Sequence, residues 1–471
     1  MSKITWGDEM NFLKLAKQRE KELIEDLKQL IRIESVLDAK SATNEAPFGK
    51  GPAEALKWLL TKGEEEGFRV KNIDHVAGHI EMGEGEELVG ILCHVDVVPT
   101  GENWTYPPFE GTIQDGKLYG RGAIDDKGPT IAAFLAMKMV KDLKIPLKKR
   151  VRMIIGTDEE SGFRCVEHYF SKEEMPTIGF APDADFPLIN AEKGIALLDF
   201  KQRVQDLKDE QLVSFSAGNR VNMVPDLARA VVRNTSHQFE ENFQTFFQNY
   251  TQKATILSEG EQYIITVAGK SSHAMEPEKG LNAGIVLAKF LNTELTTPAS
   301  KSFVSFLDDG FNDVYGKRLQ LDFSDEMSGP TTFNAGVMTF DGEKGGRIQV
   351  SMRYSVTYPF TEKIREVETH LSNTSFGVEV VSNSAPHFIP EEDEFIQTLL
   401  SVYRQYTDDQ TKPLSTGGGT YARILKKGVA FGALFPGEPD VAHQKDEYVV
   451  IQNLVKAAAI YAEAIVQLAR S

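Results

Sequence analysis

The residues that could do chemistry in this chain are histidines and carboxylates placed just past apolar runs, where open α/β sheets bind ligands. In LVGILCHVDVVP, His94 and Asp96 stand two apart, so on extended backbone they face one side. His94 can offer a ring nitrogen to a metal, and Asp96 can accept from the other nitrogen and fix the tautomer. Cys93 points the other way and reads as a packed thiol. In LYGRGAIDDKGP, Asp125 and Asp126 precede a helix. They could simply cap it, but the flanking glycines also permit unusual backbone beside a site. VRMIIGTDEESG runs a buried strand into Asp158, Glu159 and Glu160, whose like charges raise one another's pKa unless a cation is present. Asp183 comes after another such strand in TIGFAPDADFP, and His443 after another in GVAFGALFPGEPDVAHQKDEY. Just before that strand, STGGGTYAR brings Gly418 and Gly419, whose backbone N–H groups could meet an anion or whose bareness could let a substrate approach. Each motif also has a plain reading: a strand-end histidine, a cap, a solvated acidic loop, a turn. Together they supply the donor set of a two-metal hydrolytic site.

These residues need elements to hold them. Lysines and arginines number 52 against 69 aspartates and glutamates, a net charge of −17, which disfavours nucleic acid and anionic membranes as partners. The 471 residues suffice for a large core, and 41% hydrophobic content excludes wholesale disorder. With two cysteines, no signal-like N-terminal stretch and no apolar run near 18 residues, we expect a cytoplasmic protein. Periodicity predicts helices over 10–34, 49–68 and 129–143, and strands at FRVKNI, HVAGHIEM, LVGILCHVDVV, RVRMIIGT and TIGFA. The alternation argues α/β with a mostly parallel sheet flanked by helices. From about residue 186 the segments turn strand-rich and amphipathic. After APHFIP the helix–strand pattern returns with FIQTLLSVYRQYT, YARILKK, GVAFGALF and a closing helix. We therefore expect a catalytic domain built from residues 1–185 and 386–471. The α+β insert at 186–385 is long enough for two ferredoxin-like βαββαβ layers.

The ordered set H-x-D-V-V-P, G-R-G-x-x-D-D-K-G, D-E-E-S-G, P-D-A-D and H-x-x-D-E resembles the dinuclear zinc peptidases, the family of carboxypeptidase G, succinyl-diaminopimelate desuccinylase, aminoacylase and carnosinase. The long insert and the full-length layout look most like the PepV-type bacterial dipeptidases. The resemblance implies that His94 and Asp183 hold one zinc, that Glu160 and His443 hold the other, and that Asp125 bridges both. It implies Asp96 as the residue orienting His94, Glu159 as general base, and a cis peptide after Asp125. Asn222 in SFSAGNRVNMVP, His273 in KSSHAMEP and Arg353 in QVSMRYS match the family's lid residues that meet substrate. The implied reaction is hydrolysis of dipeptides with free termini, including carnosine-like ones, by a monomer. Two divalent ions are implied, zinc first, with manganese or cobalt also compatible with these ligands. An N-acyl amino acid deacylase or desuccinylase would use the same metals, whereas a non-catalytic binder would have no need of Glu159. Other histidines carry little weight: His75 and His79 fall on a strand-like stretch, and His168, His237, His370 and His387 lack ligand-like company.

Overall fold

The computed structural model describes residues 11–204, 207–233 and 235–470. The chain forms two compact units. One runs up to Asn190 and resumes with Phe388–Leu414 and from Gly419 onward, and the other comprises Ala191–His387 with Ser415–Gly418. The four-residue stretch Ser415–Gly418 thus groups with the insert, although it lies within 386–471.

In the first unit, β1 (Arg69–Ile73), β2 (Ala77–Met82), β3 (Leu88–His94), β4 (Arg150–Gly156), β5 (Ile178–Ala181) and β6 (Gly428–Ala430) lie in the order β1-β2-β4-β3-β5-β6. From β4 to β6 the pairs are parallel, whereas β1 with β2 and β2 with β4 are antiparallel. The sheet is therefore mixed, because the three residues between β1 and β2 permit only a hairpin. All seven residues of β3 are buried, as expected of a strand covered on both faces. The covering helices include Lys127–Asp142, nearly all buried, and the twenty-residue Ile451–Arg470 packed against it. The predicted helix over 10–34 is two helices, Phe12–Gln18 and Glu20–Ile31, meeting at Arg19. YARILKK forms only a 3₁₀ turn at Tyr421–Ile424, since Leu425 returns to extended backbone.

The second unit is built on one eight-stranded antiparallel sheet. Its spatial order is Ala254–Glu259, Gln262–Ala268, Leu227–Arg233, Leu212–Ala217, Thr332–Asp341, Gly345–Tyr354, Gly194–Gln202, Phe376–Ser384. Burial alternates along Leu227–Arg233, the signature of a sheet packed on one face. The core there joins the sheet to Phe239–Phe247, Ala283–Glu294, Pro298–Phe311 and Phe360–Leu371. Eight strands and four helices are what two βαββαβ layers need, but only one half follows that order; the elements from Leu212–Ala217 to Ala283–Glu294 run ββαββα.

Candidate metal centre

The end of β3 delivers His94. Its Nδ1–H donates to the backbone carbonyl of Asp96 at 3.0 Å, so in the neutral ring the lone pair is on Nε2. Nε2 is buried, lies 3.1 Å from Asp125 Oδ1 and 3.6 Å from Asp183 Oδ2, and makes no aligned hydrogen bond. A buried nitrogen without a partner, set among carboxylates, fits a metal ligand. On the other side of Asp125, Oδ2 lies 2.9 Å from His443 Nε2, which is also 3.0 Å from Glu160 Oε2. Two groups result: His94, Glu159 and Asp183, and Asp125, Glu160 and His443, each with donor atoms within 4.8 Å of one another. Borderline nitrogen and hard oxygen donors of this kind suit zinc, manganese or cobalt.

The supporting shell differs in two places from the expected one. Asp96 was expected to hold His94 through its carboxylate, but Oδ1 is 3.6 Å from Nδ1. The strand stops at His94, and the Asp96 backbone carbonyl lies nearer the ring nitrogen than its carboxylate does. The Asp96 carboxylate instead accepts the backbone N–H groups of Glu159 and Glu160, each at 3.1 Å. Those two glutamates occupy a turn, not extended backbone, and the turn sends one side chain to each group. Asp158 stabilises the turn, accepting from the Ser161 hydroxyl and the Arg164 guanidinium. The Asp125–Asp126 peptide is cis. Asp126 makes no side-chain cap to the helix after it. Its Oδ2 accepts from the His94 N–H at 3.1 Å and the Thr130 hydroxyl at 3.0 Å, tying strand end to helix start.

Burial and mutual repulsion dominate the electrostatics. Burial drives the Glu159 carboxyl well above its ordinary range, and Glu160 up to about 7 with help from the Asp125 charge. Asp183 is raised for the same two reasons. Asp125 goes the other way: burial opposes its charge, but the two histidines outweigh burial and hold it below the usual range. Burial opposes protonation of both imidazoles, yet the carboxylates beside them prevail, raising His94 well above its normal value and His443 to about 11. A site so rich in negative charge has the balance of a cation site.

In the second unit, Asn222 and His273 stand side by side. Met223 bridges to His273, Ala274 N–H donates to Asn222 O at 2.9 Å, and Val224 N–H donates to Ser272 O at 2.9 Å. The buried Asn334 amide donates to the carbonyls of Val221 and Met223, fixing the segment on both sides of Asn222. Arg353 pairs with Thr332 across the sheet and donates from Nη1 to Gly417 O at 3.0 Å. The Gly418 N–H donates to Thr416 Oγ1 at 3.0 Å, so it is not the spare anion donor the triple glycine suggests. Gly419 falls in the first unit. Cys93 and Cys165 are buried free thiols, and burial pushes Cys165 up to about 12, as packed thiols require. His79 is held by the Tyr169 hydroxyl at 2.7 Å, away from either ligand group.

Three elements of the site are not apparent from residue types and spacing. Asp126 and Thr130 link the strand to the helix, Tyr421 meets the His94 ring edge-on at 6.1 Å, and Arg121 and Glu447 form a buried ion pair. Arg121 and Glu447 lie inside the motifs G-R-G and H-x-x-D-E, and that membership is the one signal that could have singled them out.

Known proteins share this layout. Residues 90–467 match Peptidase family M20/M25/M40. The chain is 48% identical over 458 residues to the "Putative dipeptidase YtjP" of Bacillus subtilis (strain 168), covering 96% of this chain and 98% of the relative. It is 42% identical over 453 residues to a "Putative dipeptidase" of Staphylococcus epidermidis, covering 95% and 97%. The fold is similar to that of human carnosine dipeptidase 1, with a TM-score of 0.55, 14% identity and 98% of both chains covered. From its sequence match and from the fold that carries these ligand groups, the chain belongs to peptidase family M20/M25/M40 and is a hydrolase, a metallopeptidase.

Proposed function

We propose that this peptidase cleaves dipeptides with free N- and C-termini, carnosine-like dipeptides among them, in the cytoplasm and as a monomer. The observation that carries the reading is Asp125, whose two oxygens face two separate ligand groups, with Glu159 turned toward one of them. The names of the bacterial relatives support the dipeptide. His94 and Asp183 would hold one ion, Glu160 and His443 the other, and Asp125 both. Bound there, two divalent ions supply polarisation of the scissile carbonyl and a lowered proton affinity for the attacking water.

The chain's own residues do the rest. Glu159 takes the proton of the water and returns it to the leaving amine. Asp96 holds the glutamate turn through the two N–H groups it accepts. His273 stabilises the developing oxyanion, and Asn222 and Arg353 fix the substrate carboxylate.

Replacing Glu159 with Gln tests the base. General acid–base catalysis contributes about 10²–10⁴-fold, so kcat should fall by at least that while metal content and dipeptide KM change little. Glu160→Gln should instead lose one ion. Loss of metal from the first variant and retention by the second would reverse the two roles. Release of amino acids from dipeptides but not from N-acetyl amino acids checks the substrate class. Preference for the latter would make the protein a deacylase.

A further inference from the structure

His443 has a left-handed backbone, φ +63°, and so does Asp446, φ +56°. Neither residue is glycine, so this loop must be held by its surroundings. The loop belongs to the first unit, and the group that holds it is a buried ion pair. Arg121 and Glu447 are 1% and 0% exposed and meet at 2.6 Å. The Arg121 guanidinium also donates to main-chain carbonyls: His443 at 3.3 Å, Gln444 at 3.2 Å, Pro99 at 3.2 Å and Thr100 at 3.3 Å. The other oxygen of Glu447 accepts the N–H of Ile124 at 3.0 Å and of Asp125 at 3.3 Å. A single pair therefore fastens the main chains of Asp125 and His443, two of the three members of one ligand group. The group of His94, Glu159 and Asp183 receives no bond from it. A third tie closes the arrangement: the Asp446 carboxylate accepts the Thr105 N–H at 2.7 Å and hydroxyl at 2.9 Å.

We propose that Arg121 and Glu447 are positioning residues for metal affinity, a strap that sets how tightly the Asp125–Glu160–His443 group holds its ion and that reaches the ion of the His94 group only through Asp125. The proposal rests on the two-ion reading of the site. A buried ion pair could also serve stability alone, but then any cation opposite Glu447 would suffice. The planar fork of Arg121, spanning four carbonyls and a carboxylate, does something a lysine cannot.

The test titrates metal-stripped full-length protein with Zn²⁺ against a competing chelator. His443→Ala leaves the His94 group as the main site, and His94→Ala leaves the other. Adding Arg121→Lys in the His94→Ala background should raise Kd about 10–100-fold, the usual effect of losing an outer-shell partner. In the His443→Ala background, where only the Asp125 tie bears on the remaining ion, the rise should be several-fold smaller. Circular dichroism and thermal unfolding of the stripped protein check that the fold is kept. An unchanged Kd in the His94→Ala background, or equal weakening in both, overturns the strap. Should Arg121→Lys fail to fold, Glu447→Gln, equal in volume but uncharged, replaces it with the same two comparisons. If the protein without substitutions binds fewer than two ions, the two-ion reading fails and the strap with it. If it binds two and Arg121→Lys is silent, only the strap fails.

Discussion

Asp125 is the residue on which the site turns. One of its oxygens lies 3.1 Å from His94 and the other 2.9 Å from His443, so it stands between the two histidines. Asp125→Ala should therefore cost both ions, whereas Asp183→Ala should cost one, a difference that metal analysis after gel filtration would show. An Asp125→Ala protein that still carried two ions would exclude it as the bridge. Residue types alone suggested this role only through the family resemblance, since an aspartate before a helix is ordinarily a cap. The tertiary structure sets Asp125 and Asp126 apart: one faces the histidines, the other secures the His94 backbone. Asp96 shows the opposite case. Its type and spacing suggested a partner for the His94 ring; its carbonyl accepts from the ring, and its carboxylate, 3.6 Å from the ring nitrogen, also accepts from the glutamate turn.

At the scale of elements, the site depends on strand ends being tied to the turns and helices beyond them. β2 illustrates the cost of doing this with buried polar groups. Its His79 accepts no charge readily: burial, then the Arg152 charge, lowers its pKa to about 4. Its Nδ1 meets the hydroxyl of Tyr169 on the helix Arg164–Lys172, which begins just after the glutamate turn. A histidine whose folded pKa lies below its unfolded value of about 6.5 contributes stability above that value and loses it as pH falls toward 4. The span corresponds to about 3 kcal/mol. Between pH 7.5 and 4 the unsubstituted protein should thus lose up to about 3 kcal/mol more than His79→Gln, measured by urea unfolding of stripped protein at each pH. Parallel losses in the two proteins would show that His79 stays protonated or exposed. The sequence identified β2 as a strand and set His79 aside as a ligand, but the tyrosine 90 residues later that meets its ring was not legible from spacing.

At the scale of the whole molecule, the second unit carries eight strands on one sheet within a single chain. That is the complement of two lid layers, and it underlies the expectation of a monomer. Sedimentation velocity at assay concentrations should give one species near 52.4 kDa. A stable dimer that loses activity on dissociation would contradict it. No helix among the described residues is long and apolar enough to cross a membrane. The features that the sequence determined by itself were local or ordered along the chain: the buried strands, read from unbroken apolar runs, and the donor residues at their ends. It also carried the order of five motifs, which is distinctive because few families need those residue types in that succession. The relations between distant segments were decided only by the tertiary structure. Sequence spacing cannot tell whether His443 reaches Glu160, 283 residues away, or which glutamate of an adjacent pair faces which group. It does not show that a buried arginine fixes a left-handed histidine. Such relations depend on where strands stop and how loops close over them, and those are set by the packing of the whole sheet and its helices, not by any one segment.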